Sequence, residues 1–283
     1  MPVRALRRPP PHVFFLVSAV FHYLGPAFAV LLFQYVAPLG VAWLRIASAA
    51  AVFAIWRKPW RYLGTLGHAQ KRTVIALGIV LAAMNASFYE AIARLPLATV
   101  GAIEFLGTIA LAAIGMRTAR NVGALALAVT GVFVLTDVRL ISGATGYLFA
   151  FLNCGLFVLY VVLGHRIASD GGTSGIDRLG AAMLIATIAA LPFGIREALP
   201  AVSSPGLLAA GIGVGVTSSV IPYVCDQLAM ARLPRASFAL LLALLPATAS
   251  VIGIVVLHQI PSILEMFGIS LVICGVALHR PKE

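Results

Sequence analysis

Ala91-Ile92-Ala93-Arg94-Leu95-Pro96-Leu97-Ala98-Thr99 is answered in the second half of the chain by Ala229-Met230-Ala231-Arg232-Leu233-Pro234-Arg235-Ala236-Ser237. Each copy closes one apolar run and opens the next, with a proline at the start of the new run, where its missing N–H costs a helix little. Working outward, apolar runs occupy 13 to 36, 38 to 56, 73 to 93, 96 to 115 and 121 to 137, then 144 to 164, 178 to 196, 205 to 229, 234 to 257 and 261 to 279. Runs of about 20 apolar residues cross a bilayer. The fold expected is therefore an all-α membrane protein of ten transmembrane helices, in two five-helix repeats at 13–137 and 144–279. An odd number of helices per half sends the second copy into the membrane from the opposite side. Such inverted repeats serve alternating access around a midplane site in many transporters.

Composition agrees. Of 283 residues 61% are hydrophobic and 10% charged, too little polar surface for a soluble domain of this size. The net charge of +11 could mean nucleic acid or a membrane surface, and the positions of the charges decide. With the N-terminus inside, Arg4, Arg7, Arg8, Arg57, Lys58, Arg61, Lys71, Arg72, Arg117, Arg120, Arg166, Arg178, Arg232, Arg235, Arg280 and Lys282 fall in cytoplasmic segments, against Arg94, Arg139 and Arg196 outside. This is the positive-inside bias, and it puts both termini in the cytoplasm. The charges are spread among loops flanking membrane lipid, so a phosphate-tracking patch and nucleic-acid binding are excluded.

Cys154, Cys225 and Cys274 all lie in apolar runs without close pairing and read as small core residues. Six scattered histidines offer no metal site. Arg4, Arg7 and Arg8 before an apolar run with Ala27-Phe28-Ala29 resemble a signal peptide, but the run continues through Val30-Leu31-Leu32-Phe33 and the repeat needs it as a first helix. Gly211-Ile212-Gly213-Val214-Gly215 lacks the Lys-Ser or Lys-Thr of a phosphate loop and reads as a close-packing stripe, so no nucleotide or other cofactor is expected.

Ionisable groups deep in a bilayer need a partner, a wet cavity or a function. Glu104 lies eight residues past Pro96, about 12 Å into the fourth helix. It is the candidate proton-exchanging carboxylate. Arg45 lies about 10 Å into the second helix, and Glu104 or a substrate carboxylate is its expected partner. Asn85 and Tyr89 share one face of the third helix. Tyr223 and Gln227 repeat that spacing in the eighth, aligned with them through the repeat. His22 and Tyr160 are internal polar aromatics. Glu90 and Asp226, near helix ends, are expected to reach water, and Ser218 and Ser219 to bond back to their own helix.

Asn85-Ala86-Ser87-Phe88-Tyr89-Glu90-Ala91-Ile92-Ala93-Arg94-Leu95-Pro96, with Ile103-Glu104-Phe105-Leu106-Gly107 after it, resembles the drug/metabolite transporter superfamily, more narrowly the EamA-type exporters of the threonine and homoserine exporter (RhtA-like) group. Leu44-Arg45, Leu159-Tyr160, Gly164-His165-Arg166 and Leu191-Pro192-Phe193-Gly194 extend the likeness over nearly the whole chain. Thr108 stands where similar proteins usually carry Pro, and Phe157 where they carry Trp. The resemblance implies export of small amphipathic metabolites through the bacterial inner membrane, driven by protons.

The function expected is a proton-coupled secondary transporter exporting amino acids or related metabolites. The alternative within transport is efflux of cationic lipophilic compounds, which an Arg45 facing the site would disfavour. An intramembrane enzyme would need a nucleophile with a base, or a metal cluster, and no such set stands out.

Overall fold

The computed structural model describes residues 11–115, 118–137, 140–168, 172–233 and 245–278. Among the described residues there are ten principal helices and no strand: α1 Pro11–Leu32, α2 Pro38–Arg57, α3 His68–Ile92, α4 Leu97–Gly115, α5 Ala119–Asp137, α6 Leu140–Ala168, α7 Gly172–Val202, α8 Pro205–Met230, α9 Leu245–Leu257 and α10 Ile263–Leu278. A single helical turn, Trp60–Leu63, lies between α2 and α3. Local chemistry sets the ends. Pro38 and Pro205 occupy first-turn positions of α2 and α8. Lys58 ends α2 in the left-handed conformation, its N–H bonded to the Ala54 carbonyl at 3.2 Å. Ser262 and Glu265 cap each other's backbone N–H at the start of α10.

Six helices, α1, α2, α3, α6, α7 and α8, are long and apolar enough to cross a membrane. The other four contribute shorter apolar stretches: Leu97–Gly107, Ala119–Val134, Leu245–Leu257 and Ile263–Gly275. Several helices outrun the apolar segments read from sequence. α3 starts at His68 rather than 73 and α7 spans Gly172–Val202 rather than 178–196, because helical hydrogen bonding continues through polar end residues that a hydropathy reading discards. α1 stops at Leu32, short of 36. Large apolar side chains cover the outside, with Ile55 79% and Ile188 71% exposed, a surface suited to acyl chains rather than water. Of the three cysteines Cys154 is buried, Cys225 half-buried and Cys274 exposed, so only the first is a core residue.

The repeated segment folds alike in both copies as far as it is described. Ala93 N–H reaches Tyr89 O at 3.0 Å, and Leu95 N–H reaches Ala91 O at 2.8 Å. Ala231 to Gln227 and Leu233 to Ala229 repeat these bonds at 3.0 and 2.8 Å. Pro234 to Ser237 lie outside the described residues.

The main packing partners are α2 with α7, α5 with α10, and α4 with α9, together with α3 on α6 and α7, α4 on α6, and α1 on α8 and α9. Small residues bring two of these pairs together. A Cβ on Gly40 would come 2.5 Å from the Glu197 backbone of α7, and one on Gly194 would strike Trp43 of α2. Likewise a Cβ on Gly131 or Gly275 would lie 2.6 Å from a carbonyl of the facing helix, Gly268 or Ala124. Without a hydrophobic drive between helices in lipid, such backbone contact is what dispersion requires.

At one end of the bundle Arg57 of α2 pairs with Asp177 of α7 at 2.5 Å, the acid being buried. Asp177→Asn keeps the shape and removes the charge, so the purified protein should lose about 1–3 kcal/mol of stability. A thermal unfolding midpoint unchanged from that of the parent would show that the pair is idle.

Candidate functional site

Helix α8 is the irregular one. Val216–Val220 form a π-helical turn, where hydrogen bonds skip one residue further along the chain. Pro222 follows and brings no N–H, so the carbonyl of Ser218 loses its ordinary α-helical donor. Arg45 of α2 takes the place of that donor: Nη2 bonds to Ser218 O at 2.6 Å, and Nε to Ser219 Oγ at 2.8 Å. Its guanidinium also lies 5.5 Å from the Tyr89 ring centroid and 5.8 Å from that of Tyr223. Arg45 is only 3% exposed, and among the described residues it is the single buried Lys or Arg. Snorkelling to a headgroup is thus excluded for it.

Glycines admit the neighbours to this turn. A Cβ on Gly25 of α1 would overlap the Ser218 hydroxyl and come 2.7 Å from its backbone nitrogen. A Cβ on Gly215 would overlap Ser48 and approach Arg45 O at 2.8 Å. Within the Gly211 to Gly215 stripe, Gly213 faces open space and does not take part. Gly25→Ala should push α1 off α8, at a cost of about 1–3 kcal/mol by overpacking. A lowered midpoint in thermal unfolding is the expected reading, and an unaltered one would mean the turn yields freely.

Glu104 of α4, 2% exposed, accepts one hydrogen bond on each oxygen: Tyr23 OH from α1 at 2.9 Å and Asn153 Nδ2 from α6 at 3.1 Å. The expected Arg45–Glu104 pair is not formed, since Arg45 is turned toward α8. The two nevertheless line the same cavity, with His22, Asn85, Phe88, Asn153 and Tyr223. Asn85 Nδ2 bonds back to Leu81 O at 2.7 Å, leaving Oδ1 without a partner, and Asn153 Oδ1 is equally unpartnered. Buried acceptors left so are costly unless something visits them. Room is scant, ≈ 10 Å³ for water centres, about one molecule. The chamber is closed in this conformation.

Residues 144–279 match the EamA-like transporter family. Nearly the whole chain aligns with the threonine/homoserine exporter RhtA of Escherichia coli (strain K12), 28% identical over 289 aligned positions covering 99% of this chain and 96% of that one. The second half is thus EamA-like, and the chain as a whole is similar to exporters of that type. RhtA of Salmonella typhimurium (strain LT2) is 28% identical over 255 positions, 89% of this chain and 84% of its own. A crystal structure superposes with a TM-score of 0.63 at 20% identity over 94% of this chain and 96% of that one, a likeness of fold. The family and these relatives are transporters rather than enzymes, as the sequence led one to expect, and the chain is a multi-pass membrane protein.

The structure brings together Glu104, Arg45, Asn85, Tyr223 and His22, and sets Tyr89 beside Arg45. Tyr160 sits next to the cavity, its ring 5.4 Å from that of Tyr223. Gln227 does not join them. It is fully buried near Gly164 and Gly175 of α6 and α7, beyond the chamber. Phe157 packs against His22, Phe105 and Tyr160 as an aromatic wall. The side chain of Thr108 lies outside the described residues.

Three expectations need correction. Ser218 and Ser219 serve Arg45, not their own helix, because the π turn and Pro222 open that stretch of α8. Asp226 does not reach water: it is 4% exposed, held by Ser18 Oγ at 2.5 Å and Tyr160 OH at 3.0 Å, because α1 and α6 cover the end of α8. Arg45 is anchored across to α8, not paired with Glu104. Glu90, by contrast, pairs with Arg94 one turn away, near the surface. Sequence reasoning overlooked Ser18, Tyr23, Asn153 and Pro222. Two signals were there to be read: Ser18 and His22 sit one helical turn apart in an apolar helix, and so does Pro222 after Ser218.

Proposed function

We propose that the protein is a proton-coupled exporter of small zwitterionic metabolites, of the threonine and homoserine kind, in the bacterial inner membrane with both termini cytoplasmic. One observation carries this reading: a buried guanidinium and a buried carboxyl edge one closed chamber without pairing with each other. A substrate carboxylate would meet Arg45, and an ammonium would meet Glu104 and the unpartnered Asn85 and Asn153 oxygens. Ammonium and proton compete for Glu104, which couples export of one to entry of the other. His22 and Tyr223 line the space, and Tyr89 and Tyr160 back it. The similar RhtA proteins, threonine/homoserine exporters by name, point the same way.

The halves 13–137 and 144–279 are proposed as inverted repeats that rock about this chamber. Support comes from the main packing pairs, which map onto one another when each helix is replaced by its counterpart five helices along: α3 on α6 becomes α8 on α1, α4 on α6 becomes α9 on α1, and α3 on α7 becomes α8 on α2. Arg45 at the chamber counts against lipophilic cations as substrates.

Everted membrane vesicles carrying the protein test this. Labelled threonine should accumulate inside them only under an imposed proton gradient, and a protonophore should abolish the accumulation. Uptake indifferent to the gradient, or preferred uptake of a lipophilic cation, would overturn the reading.

A further inference from the structure

Glu104 is not the only carboxyl the core must hold. Among the described residues four acids are buried: Glu104, Asp177, Asp226 and Glu265. Asp177 has Arg57, and Glu265 caps α10. Among the described residues neither Glu104 nor Asp226 has a Lys or Arg within 4.0 Å, and the single buried arginine is bonded to α8. Two interior carboxyls against one guanidinium leave a negative charge, which lipid-buried protein carries only at considerable cost.

The same two helices grip both acids in the same way. α1 and α6 supply one donor each to Glu104, Tyr23 and Asn153, and one donor each to Asp226, Ser18 and Tyr160. Asp226 is nevertheless a separate station. It does not line the Glu104 cavity: Tyr160, which bonds to it, packs its ring at a tilt against that of Tyr223, which does line the cavity. Ser18 adds the decisive detail. Its one hydroxyl hydrogen has two acceptors, Asp226 Oδ1 at 2.5 Å and the carbonyl of Pro222 at 3.2 Å, and can serve only one at a time. With Asp226 ionised, Ser18 donates to the carboxylate. With Asp226 protonated, the acid O–H donates to Ser18 Oγ, and Ser18 turns its hydrogen to Pro222 O. No buried group is orphaned in either state, so the site accepts or releases one proton without breaking its network.

We propose that Asp226, bridged by Ser18 and Tyr160, is a second proton-binding site, separate from the substrate chamber, that adds one proton to each transport cycle. Other titratable groups near it are Tyr160 on α6 and Tyr223 and Cys225 on α8 itself, with His22 one turn beyond Ser18 on α1 and Arg45 beyond Tyr223. In its transport aspect this rests on the exporter reading above; in its proton-binding aspect it does not.

The test uses the full-length protein in lipid vesicles, as parent, Asp226→Asn, Ser18→Ala and Glu104→Gln. Acid-minus-alkaline infrared difference spectra of the parent should contain a protonated-carboxyl band that is missing in Asp226→Asn, displaced in Ser18→Ala and retained in Glu104→Gln. A difference spectrum identical in parent and Asp226→Asn overturns the proposal. If Asp226→Asn does not yield folded protein, the Ser18→Ala band decides, and an undisplaced one overturns it. In transport, Asp226→Asn should keep gradient-free exchange of labelled threonine and lose about tenfold in accumulation per pH unit of gradient, the leverage of one proton. Equal loss of exchange and accumulation would make Asp226 a structural residue and overturn it. A parent that carries no threonine removes the substrate reading above, while the infrared result still decides on Asp226.

Discussion

Glu104→Gln should lower gradient-driven accumulation of threonine by about tenfold for each pH unit imposed, while leaving gradient-free exchange measurable. The amide is nearly isosteric and keeps an acceptor for Tyr23 OH. Its NH₂ must replace one carboxylate oxygen, so Asn153 has to turn its own amide, which it can do because its Oδ1 has no other partner. What is lost is the capacity to trade a proton for an ammonium. One proton moved down one pH unit supplies about 1.4 kcal/mol, and this is the quantity the variant forfeits. The measurement is the ratio of internal to external label in everted vesicles at several imposed gradients. A slope equal to the parent's would remove Glu104 from coupling and leave it as a tie between α1, α4 and α6. Loss of exchange together with the slope would make it a residue of substrate binding alone.

Much of this site was legible in the sequence, for a reason particular to membranes. In an apolar run each polar residue stands out, and Glu104, Arg45, Asn85 and His22 could be found one at a time by depth from a proline-marked helix start. Their partners could not. Which helix meets which depends on contacts between elements far apart in sequence, and nothing in Ser18 or Asn153 alone announces that each faces an acid. Asp226 shows the difficulty sharply: four residues from the end of α8, it looks like a group that escapes to water, yet α1 and α6 close over it. Gln227 shows the reverse. Its spacing from Tyr223 put the two on one face, but it lies a turn further along, past the chamber, against the glycines of α6 and α7. In this conformation Arg45 does not pair with Glu104, although the charges alone favour it. Pro222 had already left a stronger claim on the guanidinium in the Ser218 carbonyl.

That claim makes Arg45→Lys the most informative conservative change. A reading by charge alone expects little, since lysine keeps the cation near the substrate carboxylate. A reading by shape expects a large loss. Arg45 spans α8 with two nitrogens, Nε on Ser219 Oγ at 2.8 Å and Nη2 on Ser218 O at 2.6 Å, and a lysine ammonium is a single point that lacks this fork. The carbonyl cannot regain an ordinary α-helical bond, because Pro222 has no N–H to give. Leaving it buried and unpartnered costs about 1–3 kcal/mol, so transport should fall by about tenfold to a hundredfold. Gly25 and Gly215 bring α1 and α2 within a Cβ's width of the π turn, so the strain should reach the helices that carry His22 and Arg45 of the chamber. The fall should therefore appear in maximal rate as well as in affinity for threonine. A change confined to affinity would mean that Arg45 meets only the substrate. Parental rate and affinity would mean that its hold on α8 is incidental to transport.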